Sequence, residues 1–335
     1  MTVLTDIQTR AAAHPAHVVL SEGRDPRIID AAVQATELGI ASITLVGSER
    51  EISDQLTRRG GRTSEALRIE DPSNSPLTNL VSDAYFDLRK HKGVTAAKAA
   101  SAALDPLVFA AMLVRLGHAD GTVGGAVAST SSTVRAALQV IGKAPGADLV
   151  SSFFLMVLPE DHPSGRVAMI FSDCGLVIDP SASELALIAS QSAASYATLL
   201  NEPPRIAMLS FSTKGSAKHP NVTKVAEAST RIREQYPDIA SDGELQFDAA
   251  FVPSVAATKA PGSKVAGTAN VMIFPNLDAG NIGYKIAERI GGCTAIGPVL
   301  QGLSRPANDL SRGCTADDIL NMIAVTVLQA ARFKA

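Results

Sequence analysis

The chain has 335 residues, 46% of them hydrophobic and only 4% aromatic, with no Trp and a formal net charge of −3. That length holds one large or two medium domains, with a core of Ala, Val, Leu and Ile as in α/β proteins. The composition excludes a disordered chain and a basic nucleic-acid-binding stripe, and three cysteines (Cys174, Cys293, Cys314) at no CxxC spacing argue against a disulfide framework or structural zinc.

The N-terminus lacks a basic region followed by an apolar run, and the longest apolar stretch, Phe153 to Leu158, is too short to span a bilayer. A cytoplasmic protein is therefore expected. Val18 to Leu20 reads as a strand; Asp25 and Pro26 then open a helix as N-cap and N1, and Gly39 closes it. Ile43 to Val46 is the next strand. Leu77, Leu80, Val81, Ala84, Tyr85 and Leu88 form a helical stripe that stops near Gly93. Asp105 and Pro106 open another helix, ending near Gly117. A strand around 121–123 leads through a glycine- and hydroxyl-rich turn into a helix carrying Val134, Leu138 and Ile141.

Further strands are expected at 149–158, 167–171, 206–209, 249–252, 271–274 and 294–296, with helices near 183–200, 222–235, 281–290 and 316–333. The alternation predicts an α/β fold of two domains, with mostly parallel sheets and helices on both faces. The break at 142–148 is the candidate linker. A discontinuous first domain, 1–147 plus 300–335, is expected to enclose a second, 148–299.

Four clusters carry chemistry. In the first, Gly124 and Gly125 after a strand, followed by Ser129, Thr130 and Arg135, suit an anion or a plain helix cap. A cation in the first helical turn would oppose the dipole, so Arg135 favours a bound anion or a nearby carboxylate. The absence of GK[ST] rules out a P-loop. The second, Arg89 to Gly93, reads unaided as basic residues complementing a helix C-terminus. The third, Ser210 to Ser216 with Ser212 and Thr213, is a strand-end loop where open α/β sheets bind ligands, or an ordinary turn. The fourth gathers Ser311, Arg312, Gly313 and Asp318 ahead of an apolar helix, where an arginine fork fits a phosphate. Thr315 to Asp318 also has the form of a capping box. His91, His118, His162 and His219 lack metal-ligand spacing.

These blocks, in this order, resemble the phosphate acetyltransferase (phosphotransacetylase) family over nearly the whole chain. The match includes Leu88 to Gly93, Thr122 to Val127 with Arg135, Ala144 to Phe154, Phe171 to Cys174, Met208 to Thr213, Asp242 to Gln246, Pro275 to Tyr284 and Asn308 to Cys314. The resemblance implies reversible transfer of acetyl between acetyl phosphate and coenzyme A, a fold like isocitrate/isopropylmalate dehydrogenases with the active site in the cleft between the two domains, and a homodimer. It implies no metal and no cofactor, coenzyme A being a substrate beside acetyl phosphate and phosphate; no nucleic-acid or membrane partner is implied. By the same resemblance Arg312 binds the acyl phosphate beside Ser311, Asp318 takes the thiol proton, and Arg89 and Arg135 bind substrate. Ser129, Thr130, Ser212 and Thr213 are further substrate-binding candidates. Cys174 matches a cysteine that is not the nucleophile. Many relatives carry His where Ala128 stands and Pro where Ala136 stands. The alternatives are a butyryltransferase of the same type and a non-catalytic acetyl-coenzyme A sensor; a dehydrogenase finds no GxGxxG and no grouped aspartates.

Overall fold

In the computed structural model, which describes residues 2–333, the chain divides into two compact units. One contains residues up to Ala147 together with those from Leu303 onward; the other is Asp148–Gly302. The first unit runs α1 (Val3–Ala12), β1 (His17–Leu20), α2 (Pro26–Glu37), β2 (Ser42–Val46), α3 (Glu49–Arg58), β3 (Leu67–Glu70), α4 (Thr78–Arg89), α5 (Ala96–Ala102), α6 (Pro106–Arg115), β4 (Gly121–Gly124) and α7 (Thr130–Ala136), which continues into a π-helical turn, Ala137–Ile141. The second unit runs β5 (Ser151–Val157), β6 (Ala168–Ser172), α8 (Ala182–Leu200), β7 (Arg205–Leu209), α9 (Pro220–Gln235), β8 (Ala240–Leu245), α10 (Phe247–Phe251), α11 (Pro253–Lys259), β9 (Val271–Ile273), α12 (Leu277–Arg289) and β10 (Thr294–Gln301). The chain then returns to the first unit as β11 (Ala307–Asp309) and α13 (Ala316–Ala331).

The first sheet is parallel throughout, in the order β11-β4-β1-β2-β3. Its central strand β1 is an apolar run, with Val18, Val19 and Leu20 fully buried, as expected of a strand covered on both faces. Helices α1, α2 and α13 pack together over β1, β2 and β4, while α6 packs on β1, β2 and β4 with α4 and α7. Helix α13 is buried almost all round from Ile319 to Leu328, which explains its nearly unbroken apolar sequence. Asp25 and Asp105 cap α2 and α6 ahead of a proline at N1, as their sequences dictate.

The second sheet has the order β10-β5-β6-β9-β7-β8; β10-β5-β6 is antiparallel and β6-β9-β7-β8 parallel. Phe154, Met156, Phe171, Met272 and Phe274 build a core face of this unit, and Tyr284 of α12 stacks on Phe154 at 3.9 Å.

Two expectations fail here. Residues 249–252 are not a strand: they close α10 and lead into α11. The strand is β8, whose sequence hides it because two of its three buried positions, Asp242 and Glu244, are carboxylates and only Leu245 is apolar. Asp242 pairs with Lys214 and Ser263, and Glu244 accepts from Ser212 Oγ (2.9 Å) and the Gly215 amide (2.6 Å). The return to the first unit also falls at Gly302, later than 299, because β10 stays paired with β5 through Gln301. Gly302 has φ +85, and a Cβ there would lie 2.4 Å from the Leu149 carbonyl oxygen.

At the end of β4, Gly125 has φ +101, and a Cβ would sit 2.2 Å from Asp309 Oδ1 and 2.8 Å from the Leu310 nitrogen. Gly125→Ala is expected to destabilise the protein by about 2 kcal/mol or more. Urea unfolding reads this directly, and an unshifted midpoint would show that the loop yields at little cost.

Candidate active site

The site is assembled at the carboxyl ends of three neighbouring strands, β1, β4 and β11, where open α/β sheets place their ligands. Gly124 pairs in register with Asp309, so the loops leaving β4 and β11 start side by side. The β4–α7 loop points four successive amides at one group, the Glu22 carboxylate at the end of β1. Oε2 accepts from Gly125 (2.8 Å) and Ala126 (2.7 Å), and Oε1 from Val127 (3.0 Å) and Ala128 (2.6 Å). The glycine-rich turn is thus the anion nest that its sequence suggests, but its anion belongs to the chain.

Arg27, one residue into α2, binds this loop to the next. Its Nη1 donates to the Arg312 carbonyl (2.8 Å) and the Cys314 carbonyl (2.9 Å), and its Nη2 to the Ala126 carbonyl (2.8 Å). Asp25 holds the same guanidinium through Nε (3.0 Å) and Nη2 (2.8 Å). That hydrogen-bonded pairing keeps the Asp25 carboxyl below its ordinary range and raises Arg27.

The structure brings most of the expected residues to these loops. Ser129 is the N-cap of α7, accepting from the Ser132 amide at 3.3 Å, and both it and Thr130 are exposed. Ser311 and Arg312 are exposed on the turn after β11. Asp318 closes the capping box of α13: its Oδ2 accepts from the Thr315 amide (2.8 Å) and hydroxyl (2.9 Å), and Oδ1 has no protein partner among the described residues. Arg135 is exposed, but lies in the last turn of α7 rather than its first, so the argument from an opposed dipole does not hold for it. Arg89 ends α4 and is half-buried, with its Nε enclosed and without a partner; a freely solvated surface group would not show this. Among the described residues, no carboxylate pairs with Arg89, Arg135 or Arg312.

Ser212 and Thr213 belong to the second unit and are buried. The Ser212 hydroxyl donates to Glu244 and accepts from the Ala217 amide (3.1 Å), and the Thr213 hydroxyl accepts from the Gln246 amide (2.9 Å). Their hydroxyls fasten the 210–217 loop to the end of β8. The members of this region open to a ligand are different: Phe211, Phe247 and Asn276 line a cavity of about 350 Å³ at the carboxyl ends of β7 and β9.

Sequence reasoning missed Glu22, Arg27 and Asp309. Glu22 could have been found by applying the strand-end rule to β1 as well as β4. Asp309 is fully buried with both carboxylate oxygens unpartnered. Burial pushes its pKa up to about 6; the Thr130 and Thr133 hydroxyls oppose the shift without reaching hydrogen-bonding geometry, and the nearby Glu22 charge adds to it. Burial likewise pushes the Cys314 thiol up to about 11, against the pull of Arg27, and drives Cys174 well above its ordinary value. Both sulfurs are therefore held as thiols rather than thiolate nucleophiles. Among the described residues, no cluster of three His, Cys, Asp or Glu could hold a metal ion.

The Asp309 shift has a definite sign. A carboxyl whose pKa is higher in the folded chain holds its proton more tightly when folded, so stability is lost as pH rises from its unfolded value toward about 6. Asp309→Asn should therefore gain stability relative to wild type by about 3 kcal/mol between about pH 4 and pH 8. Urea midpoints of both proteins across that range measure it, and parallel curves would show that Asp309 finds a partner in solution.

The sequence pattern of the family described as Phosphate acetyl/butaryl transferase matches residues 2–327. A phosphate acetyltransferase of Paracoccus denitrificans is 50% identical over 329 residues, 98% of this chain and 99% of that one. A phosphotransacetylase structure from Streptococcus pyogenes superimposes with a TM-score of 0.92 at 42% identity, covering 98% of both chains. A branched-chain phosphotransacylase from Enterococcus faecalis V583 superimposes with a TM-score of 0.69 at 17% identity, over 94% of this chain and 99% of that one, a likeness of fold alone. With so much of the chain matched at such identity, this protein belongs to the phosphate acetyl/butaryl transferase family.

Proposed function

We propose that the protein is a phosphate acetyltransferase that moves an acetyl group reversibly between acetyl phosphate and coenzyme A. The observation that carries this reading is the turn after β11. It exposes Ser311 and Arg312, with no carboxylate on the guanidinium among the described residues, immediately ahead of the half-buried Asp318. The relatives named phosphate acetyltransferase and phosphotransacetylase support the same activity.

In the forward reaction the coenzyme A sulfur attacks the acetyl carbonyl. A C–S bond forms, the C–O bond to phosphorus breaks, and inorganic phosphate leaves. Arg312 holds the phosphoryl oxygens and polarises the carbonyl, aided by the Ser311 hydroxyl; such preorganised donors supply several kcal/mol, roughly 3 per well-placed group. The open Oδ1 of Asp318 receives the thiol proton. Arg89 and Arg135 bind the phosphates of coenzyme A, which enters as a substrate and not as a cofactor; Ser129 and Thr130 add hydroxyl contacts. Transfer is direct, because Cys174 and Cys314 are buried thiols and make poor acyl carriers.

We also propose a homodimer in the cytoplasm. Ile282, Ile286 and Ile290 along and just past α12 are 58%, 53% and 84% exposed, an apolar stripe suited to a second copy of the chain. Three free cysteines fit a reducing compartment. No single helix among the described residues is long and apolar enough to cross a membrane.

Thioester formation from acetyl phosphate and coenzyme A is the direct assay. Arg312→Ala, folded as judged by circular dichroism, should lose about 10²–10³ in kcat; near-normal turnover would remove Arg312 from the chemistry. Asp318→Asn should lose activity near neutral pH and recover much of it about two pH units higher, where the free thiol ionises unaided. Equal turnover to wild type at both pH values would end the general-base role.

A further inference from the structure

The β1–α2 segment contributes nothing to the chemistry described above, yet it touches both loops that do. Four amides of the β4–α7 loop converge on the Glu22 carboxylate, each at 3.0 Å or less. Hydrogen bonds to a carboxylate are shorter and stronger than those between neutral groups. Ala126 is held twice, by its amide through Glu22 and by its carbonyl through Arg27. The other edge of the Arg27 guanidinium takes the carbonyls of Arg312 and Cys314. Counting the two bonds to Asp25, all five N–H donors of this arginine are engaged. A lysine ammonium has three donors on a single atom and cannot span this set.

We propose that Glu22 and Arg27 are positioning residues for acyl transfer. Glu22 fills, from within the chain, an amide nest that would otherwise take an external anion, and Arg27 ties the filled loop to the 311–315 turn. Neither side chain touches substrate. Glu22 sets where the N-terminus of α7, with Ser129 and Thr130, stands, and Arg27 sets where the backbone of Arg312 stands. The filled nest also directs the phosphoryl group of the substrate to the arginine side chains rather than to the loop. This inference rests on the acyl-transfer reading given above.

The test is chemical rescue. Glu22→Ala empties the nest but leaves its four amides, a cradle fitted to a small carboxylate. Because phosphate is a reactant, formate is the probe. The variant should lose about 10–100-fold in kcat, as expected for a displaced catalytic loop, with a rise in KM for coenzyme A because Ser129 and Thr130 move with the nest. Added formate should restore about tenfold of that loss, with no effect on wild type or on Arg312→Ala. Wild-type kcat in Glu22→Ala, or a folded variant that stays slow at every formate concentration, would overturn the proposal. If Glu22→Ala does not fold, Glu22→Gln replaces it; its amide offers one acceptor oxygen where two are needed, so kcat should fall. Unchanged kcat there overturns the proposal equally. A wild-type chain that forms no thioester would sink the acyl-transfer reading itself, and this inference with it, and is read before any variant.

Discussion

The arrangement at the end of the first sheet depends on one guanidinium whose every hydrogen is spoken for. Arg27 gathers carbonyls from loops that follow β4 and β11, strands far apart in sequence but adjacent in the sheet. Strand pairing brings the loops close, and the planar fork of donors fixes their spacing more tightly than pairing alone can. Asp25 serves both as the cap of α2 and as the counter-charge that holds the fork, so the helix start and the loop geometry form one construction.

Charge is sorted accordingly. Arg27, Arg59 and Arg231 meet carboxylates and are spent on structure. Among the described residues Arg89, Arg135 and Arg312 meet none, although Arg89 carries an enclosed Nε without a partner there, which costs free energy until something binds it. On the acidic side, Glu22 is saturated with amides while Asp309, beside it, has none. Two carboxylates at the ends of the strands that flank β4, with opposite degrees of satisfaction, are a sign of function overriding stability, since a fold optimised for stability alone would pair or replace the second one.

Much of the architecture was legible in the sequence because its signals are local. The Asp-Pro starts of α2 and α6 and the apolar run of β1 need no knowledge of the rest of the chain. Strand β8 was not legible: burial there is made tolerable by Lys214, Ser212 and Ser263, and no periodicity betrays a partner that lies tens of residues away. The site divides in the same manner. Ser311, Arg312 and Asp318 stand within one short segment whose residue types announce an anion and a proton. Glu22 and Arg27 act only across the sheet, on backbone atoms that every residue possesses, so nothing in the partner sequences marks them. Arg135 falls in the last turn of α7 and not its first because the cap is Ser129, the earliest of the five consecutive hydroxyl residues at 129–133, a choice their shared chemistry leaves open in the sequence.

That Glu22 and Arg27 hold the two loops by main-chain amides and carbonyls has an evolutionary corollary. The identities of the residues at 126, 127 and 128 are decoupled from where their peptide units stand. Val127 is exposed and Ala128 partly so, and a larger or more polar group at 128 could be exchanged without disturbing the scaffold beneath it. Selection can thus retune what lines this rim through its side chains one at a time, while the frame that aims the reactive groups is inherited intact.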